Sequence, residues 1–291
     1  MSEGPSFPPN LALLVSIVAV STASILIRWS AAPPLAIASY RLLFATLILA
    51  PFYLRSGGIR RLRESPGKDV LTLMAVGVVL ALHFASWITS LSLTSVASSV
   101  LFVHVDPIFV VAVSHFVFKE RISRGTLLGI AVAFVGATVI AFGDAGVGEA
   151  NLYGDLLALI GAVMLGIYIL AGRRLRQGLD LVSYVTPVYA TSAVVLILSS
   201  LATGTRLAPY PAREYILFLA MAVVPMIFGH TVYNWALKYV SAPVVSISLL
   251  GEPVGATILA LLFLNEAPST LTLIGGVITL AGIYQCVRSS G

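Results

Sequence analysis

The chain has 291 residues, 58% of them apolar and 10% charged, with a formal net charge of +5. Soluble domains carry about 25% charged residues, so a water-soluble fold would expose far too much apolar surface. The single Cys286 excludes an intrachain disulfide framework and a cysteine-based metal cluster, and the positive charge comes with no nucleic-acid-binding motif.

Ten apolar stretches follow one another, each of the roughly 17–25 residues that a bilayer requires. The first five run over Leu11–Ile27, Pro34–Leu54, Val70–Ser90, Thr94–Phe118 and Thr126–Phe142. Asp144–Asn151 is a linker without a basic residue. The second five run over Leu152–Ala171, Leu181–Ala202, Glu214–Leu237, Ala242–Leu264 and Thr270–Val287. The segment before Leu11 holds Glu3 and neither Lys nor Arg, so it lacks the basic start of a cleaved leader. The first stretch is therefore read as a spanning helix.

Basic residues set the orientation. With the N-terminus inside, the second-to-third loop holds Arg55, Arg60, Arg61, Arg63 and Lys68. The other inner loops hold Lys119, Arg121, Arg124, Arg173, Arg174, Arg176 and Lys238, and Arg288 follows the tenth span. Only Arg28, Arg206 and Arg213 fall outside, and Arg41 lies within a span. This bias predicts that both termini are cytoplasmic.

The chain repeats itself. A shift of 146 positions lays Trp87–Thr138 over Tyr233–Tyr284 without a gap, and nine of 52 pairs are identical. Composition alone can produce that many Leu and Val matches. The telling pairs are others: Pro107, Glu120, Ser123, Thr126, Gly129 and Gly136 meet Pro253, Glu266, Ser269, Thr272, Gly275 and Gly282. Asp106 meets Glu252. Five spans per unit is an odd number, so the second unit must be inverted and its matching loop must lose its cations. Lys119-Glu120-Arg121-Ile122-Ser123-Arg124 does become Asn265-Glu266-Ala267-Pro268-Ser269-Thr270. Two unrelated helical hairpins with similar punctuation are the alternative. The expected fold is all-α and integral to the membrane: ten transmembrane helices as two inverted-topology five-helix repeats, residues 1–145 and 146–291, around a central cavity.

Pro107 and Pro253 fall inside the fourth and ninth spans, where a proline removes a donor and crowds the preceding turn. A kink that shapes the cavity and a kink that only fits the packing are both open. Gly129, Gly136, Gly275, Gly276 and Gly282 are expected to let helices approach closely. Ser123 and Ser269 read as helix N-caps, and Glu120 and Glu266 as hydrogen-bonding groups at the membrane edge.

Few ionisable groups lie within apolar spans: Arg41, His83, His104, Asp106, His115, Asp155, His230 and Glu252. A charged one facing lipid costs at least ~2.5–3.5 kcal/mol, so they should face protein or water. The equivalent positions of Asp106 and Glu252 suggest a carboxylate pair that exchanges protons, or protonated carboxyls bonded to neighbouring helices. Arg41 is expected to snorkel or to pair with a carboxylate, and His115 to be interfacial.

The third span offers His83, Ser86, Trp87 and Ser90 on one helical face, and the eighth offers His230, Tyr233, Asn234 and Leu237. Trp87 and Tyr233 are repeat equivalents. Such faces make a pocket with aromatic walls for a small neutral or zwitterionic solute, which Met164 and Tyr168 are placed to close and Ser248 to line. Each residue singly is as readily explained by packing. No phosphate-binding glycine loop, His-Glu-x-x-His or Gly-x-Ser-x-Gly is present, so neither nucleotide hydrolysis nor a hydrolase is expected. Four scattered His make no metal set, and no cofactor is expected.

Three stretches carry a family resemblance: ASYRLLFATLIL (Ala38–Leu49), VDPIFVVAVSHFVFKERIS…LLGIAVAFVGATVI (Val105–Ile140) and GEPVGATILALLFLNEAPS…LIGGVITLAGIY (Gly251–Tyr284). With them the chain resembles the drug/metabolite transporter superfamily in its EamA-type branch, nearest to aromatic amino-acid exporters. Asp106 departs from the family's usual Glu before Pro. The resemblance implies an alternating-access exporter of amino acids or similar small metabolites in a bacterial inner membrane, with a small-molecule substrate, a lipid bilayer around it and a monomer as the simplest state. A multidrug or nucleobase exporter is the rival within the class. A membrane scaffold without transport is the rival outside it.

Overall fold

Proline sets several helix starts, because the first turn of a helix has no partner for the missing N–H anyway. The chain is described by a computed structural model covering residues 4–5, 7–94, 99, 102–119, 121–144, 152–264 and 269–289. Helix α1 (Pro9–Trp29) and helix α2 (Pro34–Arg55) both open on such a proline. A short helix α3 (Gly58–Glu64) follows, where the sequence reads only as a charged loop. Then come α4 (Gly67–Ser90), α5 (Asp106–Phe116) and α6 (Arg124–Asp144). The second half holds α7 (Leu152–Leu175) and α8 (Leu181–Ala202). Its next span starts as α9 (Ala212–Met221), widens into a π segment (Ala222–Thr231) and ends as α10 (Val232–Ala236). Helices α11 (Ala242–Ser248), α12 (Gly251–Leu264) and α13 (Thr270–Ser289) complete it. No strand occurs among the described residues.

Seven of these helical stretches are long and apolar enough to cross a membrane, the last of them being Ala242–Phe263. Three shorter apolar stretches, Asp106–Phe116, Arg124–Val139 and Leu273–Ser289, stand where the fourth, fifth and tenth spans are expected. The protein is a multi-pass membrane protein, with large apolar side chains such as Leu14, Leu47, Leu71 and Val277 on its outer surface.

The two prolines expected to kink spans each follow a helix break. The ninth span is interrupted at Leu249–Leu250 and restarts as α12, with Pro253 in its first turn. Chain around the fourth span likewise leaves helical form at His104–Val105 and restarts as α5, with Pro107 in its first turn. A proline there breaks no hydrogen bond of its own helix. Asp106 and Glu252 also fall in these first turns, where the helix dipole favours negative charge. Each Pro thus stands in the first turn after a break in its span.

Helix α4 packs on α7 and α8, α2 on α8, α1 on the π segment and α12, and α5 on α7 and α11. Helices α6 and α13 lie along each other. A Cβ at Gly129 would sit 2.6 Å from the backbone nitrogen of Cys286. One at Gly136 would collide with the Thr279 nitrogen, and one at Gly282 with Ala133. The expected close approach therefore holds at these positions. Gly276 is different: a Cβ there would meet only Val254, at an ordinary 3.8 Å. Ser123 caps α6 by accepting the Thr126 N–H at 3.0 Å. Glu120 and Glu266 lie outside the described residues.

The loops gather at two ends. At one, Arg61 of α3 pairs with Asp180 at 2.6 Å. There Arg173 Nη1 donates to the Leu237 carbonyl at 3.1 Å and Arg176 Nε to the Asn234 carbonyl at 3.1 Å, so cations cap the open carbonyls at the end of α10. Ser123 donates to the Ser289 carbonyl at 3.1 Å. At the other end, Glu214 accepts from the Ser30 hydroxyl at 2.5 Å and the Ala31 N–H at 3.2 Å. Tyr40 donates to the Leu207 carbonyl at 2.7 Å, and Thr94 to Asp155 at 2.7 Å.

Candidate binding cavity

A buried cavity of about 30 Å³ lies where α1, α2, α4, the π segment and the two helix breaks meet. That is room for roughly two water-sized groups. His83, Trp87, His230 and Tyr233 form aromatic walls. Arg41, His104 and Glu252 supply the polar lining, and Val20, Leu165 and Leu249 the apolar remainder.

The walls are positioned from outside the cavity. His83 Nδ1 lies 2.9 Å from the Gly161 carbonyl, which only accepts, so Nδ1 carries the proton. The imidazole stacks on Trp87 at 6.0 Å between centroids and 11° between planes. Gly161 allows this approach, since a Cβ there would already be 3.3 Å from Trp87. Across the cavity, the Tyr233 hydroxyl and His230 Nδ1 are 2.6 Å apart. Their segment is fixed by Thr231, which donates to the Met226 carbonyl five residues back at 3.2 Å and is 3.0 Å from the Tyr189 hydroxyl. Ser16 of α1 donates to the Gly229 carbonyl at 3.0 Å. Proline at 225 has no N–H to keep an α-helical ladder, and the π turns of Ala222–Thr231 absorb the gap.

The carboxylates meet partners from the opposite break. Glu252 Oε2 is 3.6 Å from His104 Nε2, and the Ser246 hydroxyl donates to Asp106 Oδ2. The two carboxylates thus have separate partners. Among the described residues no three His, Cys, Asp or Glu side chains converge on a metal-sized point.

Of the residues expected at the site, His83, Trp87, His230, Tyr233 and Glu252 border the cavity. The others have different surroundings. Asn234 Nδ2 donates to the Tyr168 hydroxyl at 2.9 Å and to the His230 carbonyl at 2.6 Å, tying α10 to α7. Ser86 donates to the Leu82 carbonyl at 2.6 Å, and Ser248 to the Val244 carbonyl at 2.7 Å, each within its own helix. Ser90 donates to the Trp87 carbonyl at 2.7 Å and lies 2.5 Å from Ser99 Oγ. Leu165, and not its neighbour Met164, reaches the cavity.

Arg41 corrects the expectation most. It neither snorkels nor forms an ion pair among the described residues. Its side chain is 1% exposed, borders the cavity, and holds its guanidinium 4.4 Å from the Phe84 ring centroid. His104 also joins the site. The sequence signal for both was present, as ionisable groups inside apolar stretches, but nothing in it indicated which way they face.

Comparison with known proteins gives a consistent result. The family model of the EamA-like transporter family matches residues 8–142 and again residues 152–287. An uncharacterized transporter of Archaeoglobus fulgidus is 24% identical over 279 residues, 94% of each chain. The pseudopaline exporter of Pseudomonas aeruginosa is 26% identical over 260 residues, 88% of this chain and 87% of its own. A probable terminal-alkyne amino-acid exporter of Streptantibioticus cattleyicolor is 28% identical over 192 residues, 65% of this chain and 63% of its own. A solved crystal structure aligns over 97% of both chains with a TM-score of 0.80 at 20% identity, which shows the fold.

Proposed function

The chain belongs to the EamA-like transporter family, and we propose that this member is a secondary exporter of neutral amino acids, aromatic ones foremost, or of closely related metabolites. The observation that carries this reading is the cavity: aromatic walls from His83, Trp87, His230 and Tyr233 around one buried Arg and one Glu. Such a lining suits a small solute with an aromatic or apolar body and balanced charge. The amino-acid exporter among its relatives supports the same class.

The working unit is two five-span repeats of opposite orientation, residues 1–145 and 146–291, which rock to open the cavity to either side in turn. The packing supports this. Exchanging spans one to five for six to ten turns α4 on α7 into the π segment on α1, and α5 on α7 into α12 on α1. Helix breaks at matching places in spans four and nine fit discontinuous helices at a midplane site. Residues of the expected inner loops bond to one another, as Arg61 to Asp180 and Ser123 to Ser289, and those of the expected outer loops do likewise, as Ala31 to Glu214 and Thr94 to Asp155, which supports ten alternating spans. The distribution of Lys and Arg supports placing both termini on the cytoplasmic side of the membrane, and relatives from bacteria support a bacterial inner membrane. Glu252 and Asp106 are the carboxyls that take up a proton from water on one side and release it on the other as the solute moves the opposite way.

The test is flux. Proteoliposomes holding the purified protein, loaded with a panel of amino acids, should release phenylalanine, tyrosine or tryptophan faster than protein-free vesicles. A panel in which nucleobases or cationic drugs move and no amino acid does would give the site to the rival class. No flux of any solute would end the transporter assignment of this cavity.

A further inference from the structure

We propose that Arg41 and Trp87 together bind a carboxylate, so that the solute of this cavity must carry an acid group. The inference rests on the cavity being the solute's path. It adds the chemical group recognised and the residues that recognise it.

The observation is an excess of donors. Arg41 Nε and Nη1 have no hydrogen-bond partner, and neither has Trp87 Nε1. Both side chains are nearly inaccessible, at 1% and 5%, and both border the same cavity. Guanidinium and indole nitrogens can only donate. The two unmet guanidinium nitrogens carry three of its five N–H bonds. One face of the guanidinium is already spent on the Phe84 ring, a contact that holds its plane without meeting any N–H.

Among the described residues no acceptor lies within hydrogen-bond reach of Arg41 Nε, Arg41 Nη1 or Trp87 Nε1. His83 spends its Nδ1 proton on Gly161, the Tyr233 hydroxyl and His230 Nδ1 face each other, and Glu252 faces His104. A buried cation with unmet donors is costly and stays buried only where an anion completes it. A carboxylate offers two oxygens, about the size of the space present, and accepts along several directions at once. An amine or a quaternary cation would bring more donors and positive charge to a site short of acceptors. The space present matches the carboxylate group alone, and the remainder of the solute needs the cavity to widen.

The experiment compares an acid with its isosteric amide. Full-length protein in lipid nanodiscs is titrated with phenylacetate, phenylacetamide or phenethylamine, and thermal unfolding is followed. Wild type should show half-saturation by phenylacetate at about tenfold lower concentration than by phenylacetamide, the step that one charge-assisted hydrogen bond supplies. Arg41→Gln should bring acid and amide together. Trp87→Phe should weaken the acid more than the amide, narrowing the tenfold gap. Equal half-saturation of acid and amide in wild type overturns the proposal, and this comparison needs no variant to fold. Acid preference that persists in Arg41→Gln overturns it too. The wider reading fails separately: acid preference without amino-acid flux sinks export alone, and amino-acid flux without acid preference sinks the carboxylate site alone.

Discussion

Glu252 Oε2 faces His104 Nε2 at 3.6 Å, so the carboxylate that opens α12 meets the side chain that precedes α5. Each group is carried by an interrupted stretch, one from each half of the chain. The contact is an ion pair only when His104 is protonated and Glu252 ionised. Protonation of either group therefore changes the force between the two breaks.

If this contact couples transport to protons, Glu252→Gln makes flux insensitive to external pH while the protein still folds, and His104→Gln does the same. Flux in proteoliposomes across an imposed pH gradient measures it. An unchanged pH profile in both variants would place coupling elsewhere.

Asn234 and Trp87 separate stability from transport. Asn234→Ala removes the buried bonds to the Tyr168 hydroxyl and the His230 carbonyl, each worth about 0.5–1.5 kcal/mol. Its melting temperature in detergent should fall. Trp87→Phe keeps an aromatic ring in the cavity wall but loses the N–H and part of the indole that stacks on His83, so it should lose flux about tenfold or more, the worth of one charge-assisted bond and the lost packing together.

Gly136→Ala and Gly276→Ala are chemically identical changes with opposite expected signs. At Gly136 the new methyl meets the Thr279 nitrogen of α13, and overpacking of this kind costs about 1–3 kcal/mol. At Gly276 the nearest atom is Val254 Cγ1 at 3.8 Å, and the gain in helix propensity is about 0.5–1 kcal/mol. Unfolding in a denaturing detergent would order the variants Gly276→Ala, wild type, Gly136→Ala.

Asp180 gives a pH-dependent contribution outside the membrane. It caps α8 by accepting the Ser183 N–H at 3.0 Å and pairs with Arg61. Desolvation pushes its pKa up, but hydrogen bonds from Ser183 and the charges of Arg61 and Arg176 outweigh it, and the pKa falls below the ordinary 3.8. A carboxylate with a depressed folded pKa stabilises above the unfolded value and loses that contribution as pH drops through the folded one. Asp180→Ala should cost about 1 kcal/mol near neutral pH. The gap between wild type and variant should start to shrink below about pH 4, near the unfolded pKa, and close as pH drops further. A gap that stays constant down to pH 3 would deny Asp180 this role.

The spans with clear ends were legible from the residues. The stretch Leu181–Ala202 is a helix with the bounds expected of it, capped by Asp180, and the second span starts at Pro34 as expected. The glycine match of spans five and ten was legible as well, because Gly129, Gly136 and Gly282 recur at helical spacing. The breaks at His104 and Leu249 were not, because apolar side chains continue through them and Asp-Pro or Glu-Pro then reads as mid-span. Carboxylate followed by proline is also what a helix start looks like, and the structure realises that sense. In the eighth span, facing residues cannot be assigned by a period of 3.6 across π turns, and Asn234 consequently turned to Tyr168. Arg41 became a cavity group only through Phe84, which lies on another helix 43 residues away.

The line where α6 and α13 touch has no slack. Backbone meets backbone at Gly129, Gly136 and Gly282, so sliding one helix along the other would drive main-chain atoms together. If the two halves rock as proposed, this contact favours small twists about the line over shear along it. A cross-link placed there should be harmless to turnover, whereas one of equal length between α1 and the π segment should stall the protein.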